Sequence, residues 1–87
     1  MDSQEFKIEV VRLNKLDGDG KTKAFCDISL SDTFIVKGLR IVEGKNGIFV
    51  SMPREPGKDG KWYMTFIPLK KEIREELDRI VLEAYEA

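Results

Sequence analysis

Lys70, Lys71 and Arg74 fall within five positions of one another, at the start of a segment with helical periodicity. Free backbone N–H groups at a helix N-terminus favour anions, so cations bunched there make a candidate phosphate-binding patch. Arg54 and Lys58 lie just upstream and extend it: residues 54–74 hold six Lys or Arg against three Asp or Glu. Residues 75–87 reverse the balance, with Arg79 alone against five carboxylates. The chain is therefore polarised, although its net charge of −1 announces no general affinity for nucleic acid.

Other chemistry has less to stand on. With no histidine and one cysteine, Cys26, the chain lacks the usual zinc sites, His-dependent triads and His general bases, and it forms no internal disulfide. Asp17-Gly18-Asp19-Gly20 resembles part of a calcium loop. That register, however, puts Lys15 and Cys26 where the first and last carboxylates belong, between strand-like flanks rather than helices. Gly44-Lys45-Asn46-Gly47 has the Gly-x-x-Gly spacing of a backbone-clamping loop, but it too lies between strands and reads as a hairpin turn. The glycines match neither a P-loop nor a dinucleotide fingerprint. No catalytic residue, metal site, cofactor or small-molecule substrate is assigned, and no enzyme is expected.

These residues must be positioned by one small domain, 1–87, with 41% apolar and 36% charged residues. No apolar run reaches membrane-spanning length, and the start, MDSQEFK, does not read as a signal peptide. The expected location is a reducing, bacterial-type cytoplasm. The organising stretch is Ser31–Pro53, with apolar runs at Phe34-Ile35-Val36 and Ile48-Phe49-Val50 on either side of a glycine-punctuated turn. It predicts a long strand, a tight turn with positive φ at Asn46-Gly47, and a central returning strand. Leu39 and Ile41 are out of phase with Phe34 and Val36, which a bulge at Gly38 would correct.

Around this hairpin, alternation predicts a strand over Phe6–Leu13, with Val11 and Leu13 opposite Phe6, Ile8 and Val10. A turn over Asn14–Thr22 follows, then a strand over Lys23–Leu30 with Ala24, Cys26, Ile28 and Leu30 facing inward. Arg54–Lys61 reads as a loop, and Trp62–Ile67 as a last strand with Trp62, Met64 and Phe66 on one side. Leu69, Ile73, Leu77, Ile80, Val81 and Ala84 form the stripe of an amphipathic helix after Pro68, with no Ser, Thr, Asp or Asn cap. The predicted class is α+β: a small antiparallel sheet of about five strands with a C-terminal helix. A chain this short, with a strand apolar on both faces, also predicts a homodimer, with Phe49, Trp62, Met64 and Phe66 as candidate interface residues. Reversing Lys71 and Arg74 is expected to weaken DNA binding without disturbing packing, because both lie off the stripe.

Several blocks resemble the bacterial septation protein SpoVG family. They are Val11-Arg12-Leu13, Lys23-Ala24, Leu39-Arg40-Ile41-Val42-Glu43-Gly44, Gly47-Ile48-Phe49-Val50-Ser51-Met52-Pro53, Asp59-Gly60 and Pro68. The resemblance runs in order through nearly the whole chain and is most specific up to Met52-Pro53. It implies an antiparallel sheet with a C-terminal helix, a homodimer, sequence-selective binding to DNA and RNA, and a regulatory role in septation, sporulation and gene expression. Three departures stand out: an adjacent Lys-Arg pair is lost near Arg54, Trp62–Phe66 is more aromatic than the polar strand of relatives, and Leu69-Lys70 replaces a polar helix cap. An alternative reading is a protein-interaction module of the division machinery that binds no nucleic acid, using the Trp62–Phe66 strand or the acidic helix end.

Overall fold

The computed structural model describes residues 6–87. Four strands, β1 (Ile8–Lys15), β2 (Thr22–Leu30), β3 (Phe34–Gly44) and β4 (Gly47–Ser51), form an antiparallel meander in the order β1-β2-β3-β4. After Pro53 the chain leaves this sheet and forms a separate ribbon of β5 (Arg54–Pro56) and β6 (Trp62–Met64). The helix α1 (Lys71–Glu86) then packs back on one face of the meander, against β1 and β4. The class is α+β.

Alternation in β2 puts Ala24, Cys26 and Ile28 in the core, where Leu39, Ile41 and Val50 from β3 and β4 join them under Leu77 and Val81 of the helix. The bulge at Gly38 makes this possible. Val36 pairs with Ile28 and Leu39 with Cys26, leaving Lys37 and Gly38 opposite Asp27 alone. Gly38 takes φ +91°, and its N–H donates to Asp27 Oδ1 at 3.2 Å. The extra residue flips the phase of the strand, so Val36, Leu39 and Ile41 all face the helix.

A second bulge was not legible in the alternation. Val10 pairs with Ile28 and Arg12 with Asp27, so Val11 is the extra residue and lies exposed. Leu13 therefore shares the core face with Ile8 and Val10 instead of opposing them. Phe6 precedes the strand, which runs on to Lys15 and shortens the expected turn. Between β2 and β3, Ser31 and Asp32 adopt φ +51° and +54°, and Thr33 N–H closes the turn on Leu30 O at 2.9 Å. In the β3–β4 turn only Gly47, at φ +119°, leaves the ordinary region; Asn46 does not.

β4 is an edge strand, not a central one, because Met52-Pro53 ends the ladder and nothing described returns alongside it. Val50 is buried under the helix, whereas Phe49 points to the opposite side and is 48% exposed. One face of the strand is covered, as the helix argument requires; the other is open among the described residues. The Arg54–Lys61 stretch is not a loop throughout, since its first three residues pair with Trp62–Met64. The last strand stops at Met64, so Phe66 leaves the alternation and packs half-buried against the main core.

The helix starts two residues later than its stripe suggests. Lys70 is the N-cap in extended conformation with no side-chain cap, and Leu69 lies outside the helix, 97% exposed. Along the helix Lys71 pairs with Glu75, Arg74 with Asp78 and Arg79 with Glu83, each four residues apart.

Cys26 is 1% exposed, and burial, helped by the Asp27 charge, raises its pKa from 9.0 to about 11. The thiolate is the reactive form, so at pH 8 the reactive fraction falls from about a tenth to about a thousandth. Iodoacetamide is expected to leave the native thiol unmodified on a timescale that fully labels the urea-unfolded chain. Comparable rates in both states, read by mass spectrometry, would place Cys26 outside the core.

Candidate nucleic-acid interface

The candidate basic residues divide between two elements. Arg54 lies on β5 and Lys58 in the turn that closes the ribbon; Lys70, Lys71 and Arg74 lie at the start of α1. The linker 65–70 joins the two, anchored at its start by the Thr65 N–H, which donates to Pro53 O at 2.9 Å.

The ribbon has two unlike faces. Arg54 pairs with Met64 and Pro56 with Trp62, so with a period of two these four share one side. The Arg54 guanidinium carbon lies 5.9 Å from the centre of the Trp62 ring, within cation–π range. Glu55 and Tyr63 occupy the other side. There the Tyr63 hydroxyl donates to Asp59, which also accepts the Lys61 N–H at 3.0 Å. The phenol bond and then the backbone bond hold the Asp59 carboxyl below its ordinary range, and the same contact raises Tyr63. The Tyr63 ring lies directly over Gly57, where a Cβ would come within 2.6 Å of it. The turn carrying Lys58 is thus shaped by an aromatic ring on a glycine, and its nearby acid is already engaged.

The sequence assigns Arg54 to nucleic acid and Trp62 and Met64 to a dimer contact. The structure brings all three to one face, so whatever covers that face meets both the cation and the apolar Trp62 and Met64 side chains. Phe66 is not with them. It lines an apolar groove of about 720 Å³ with Phe6, Ile8, Leu30 and Ile73 on the helix side of the sheet.

The helix start also sorts its cations. Lys71 is extended into solvent, its side chain 85% exposed and only 3.9 Å from Glu75 Oε2, and Lys70 is likewise exposed. Arg74 is not free in that way. Its Nη2 donates to Val50 O at 3.0 Å and its Nε to both Asp78 oxygens at 3.0 and 3.2 Å. It ties the helix to the edge strand, so reversing it would set a carboxylate against a backbone carbonyl. The expectation that packing ignores Arg74 rested on the stripe, and a side chain off the stripe reaches the sheet nevertheless. No side chain caps Lys70, so the amides of the first turn lack that partner and remain available to an anion beside Lys70 and Lys71.

Among the described residues no cluster of three or more His, Cys, Asp or Glu could hold a metal ion, and no helix is long and apolar enough to cross a membrane.

Comparison with known proteins finds sequence relatives over nearly the full length of the chain. The septation protein SpoVG of Archaeoglobus fulgidus is 41% identical over 80 residues, covering 92% of this chain and 94% of that protein. The protein of the same name from Staphylococcus saprophyticus is 39% identical over 80 residues, covering 92% of this chain and 79% of its own length. One from Symbiobacterium thermophilum is 42% identical over 81 residues, 93% of this chain and 58% of that longer protein. The SpoVG family model matches residues 6–87, and with relatives at this identity the chain belongs to the SpoVG family.

Proposed function

We propose that this protein acts in septation and in the control of gene expression as a homodimer that binds DNA and RNA. The phosphate contacts are made by Lys70 and Lys71 at the uncapped helix start and by Arg54 and Lys58 on the ribbon. The observation that carries this reading is the pair of exposed lysines beside amides that no side chain caps. A dimer presents two copies of each patch, which lets a chain of net charge −1 hold a polyanion locally. Anisotropy titrations of labelled DNA and RNA against salt test it. A slope of about −0.9 per phosphate neutralised is expected on duplex DNA, and binding that ignores salt would contradict it.

The dimer itself is expected from the unpaired β4 edge, together with exposed Trp62 and Met64 on the ribbon. Light scattering at micromolar concentration should return twice the chain mass. A monomer mass across that range would remove this part of the reading.

The exposed Trp62, Tyr63 and Met64 favour one second reading, a protein-interaction module of the division machinery. A pull-down with and without nuclease separates the two. Partners lost on nuclease treatment support nucleic acid, and partners retained support direct protein contact.

A further inference from the structure

The helix covers one face of the meander, and the other face has no cover among the described residues. Register defines what that open face presents. Asn14, Phe25, Arg40 and Ser51 are successive cross-strand partners, one from each of the four strands, forming a single row across the sheet. The row above pairs Arg12 with Asp27, and the row below pairs Val42 with Phe49. Phe25 is 41% exposed although it sits mid-sheet, and the Arg40 guanidinium carbon lies 5.9 Å from its ring centre. Arg12, Asn14, Phe25 and Asp27 line a depression of about 240 Å³.

Charge on this face is unevenly committed. Among the described residues neither Arg12 nor Arg40 has a carboxylate within 4.0 Å. Of the acids, Asp27 holds the Gly38 N–H and Glu9 lies 3.7 Å from Lys7. The face therefore offers an aromatic ring in a shallow recess, two guanidinium groups with no carboxylate partner among the described residues, and an amide and a carboxylate at the recess wall.

We propose that this open sheet face is a stacking platform for single-stranded nucleic acid, with Phe25 under an unpaired base and Arg12 and Arg40 on the flanking phosphates. The proposal shares the nucleic-acid class of the function proposed above but uses a different surface. An unpaired base has a free π-face for the ring and a free edge for Asn14, whereas bases in a duplex are already stacked and paired. A second copy suits the face less well. A two-fold contact there would gather Arg12 and Arg40 from both protomers around acids already engaged.

The test is anisotropy with fluorescein-labelled oligo(dT), oligo(U) and a blunt duplex, on wild type, Phe25→Ala, Phe25→Tyr and the Arg12→Ala/Arg40→Ala pair. Phe25→Ala and the arginine pair should each weaken the single strands by about tenfold or more, Phe25→Tyr should retain binding, and the duplex should change little. Bromouracil-substituted oligonucleotide photocrosslinked to the wild-type protein should mark the peptide containing Phe25, a readout that needs no variant to fold. Unchanged single-strand affinity in folded Phe25→Ala, or crosslinks confined to the ribbon and helix start, would overturn the platform and leave the phosphate patch standing. Variants that halve the light-scattering mass would make the face a contact between copies and overturn it too. Wild-type protein that bound none of the probes would overturn both readings.

Discussion

Replacing Lys70 and Lys71 together with glutamate is expected to weaken DNA binding on the order of ten- to a hundredfold near 0.1 M salt. The loss should be similar for every sequence, because phosphate contacts position a nucleic acid without reading its bases. Each lost contact should also lower the salt slope by about one unit. This pair is a cleaner probe than one including Arg74, whose guanidinium binds Val50 O and Asp78. Arg74→Glu would mix lost affinity with a loosened helix. Lys71 gives up only an exposed ion pair with Glu75, worth ~0.3–0.5 kcal/mol at most. Reversing Glu83 and Glu86 at the acidic end should leave binding unchanged or slightly stronger. Unchanged affinity and slope in the Lys70/Lys71 variant would move the nucleic acid elsewhere on the protein.

Leu77→Ala is expected to destabilise the fold by about 3 kcal/mol, a large share of the ~5–15 kcal/mol that holds an ordinary domain. Leu77 is fully buried, and with Val81 it is the helix's main contribution to a core otherwise built by one face of the sheet and Met52. Removing it leaves a cavity that a rigid sheet closes poorly. In a chain of this size the melting midpoint should fall by roughly 12–24 °C. Leu69→Ala is the internal control. Both residues lie on the same helical stripe in the sequence, but Leu69 is solvent-exposed and its truncation should be nearly neutral. Equal losses in the two variants, measured by urea or thermal unfolding, would mean that the helix begins earlier and covers more of the sheet.

Periodicity by itself determined the parts of this protein in which one local rule acts alone. Ala24, Cys26 and Ile28 alternate into the core because a strand's side chains have a period of two and one face must leave water. Ile73, Leu77 and Val81 repeat at helical spacing for the same reason, and the phase break between Val36 and Leu39 announced the bulge at Gly38, where a glycine was ready to take φ +91°. The bunching of Lys70 and Lys71 was equally plain, since it needs only sequence proximity. The family, too, was legible from ordered blocks along the chain.

Other features depended on contacts between residues far apart. Val11 bulges although nothing about a valine demands it; the register of β1 against β2 does, by keeping Leu13 with Val10 on the core face. β4 became an edge because a proline ended its ladder and Arg54–Pro56 found a partner in Trp62–Met64. That pairing put Arg54, Trp62 and Met64 on one side and released Phe66 to the main core. Arg74 reaches a carbonyl twenty-four residues away in sequence, and Phe25 and Arg40 meet only because two strands align. Side-chain period is a property of the local backbone, whereas register and edge position are set by which long-range pairing buries the most apolar surface without stranding a polar group. For that reason the strands and the helix could be read from the chain, and the surfaces they present together only from the fold.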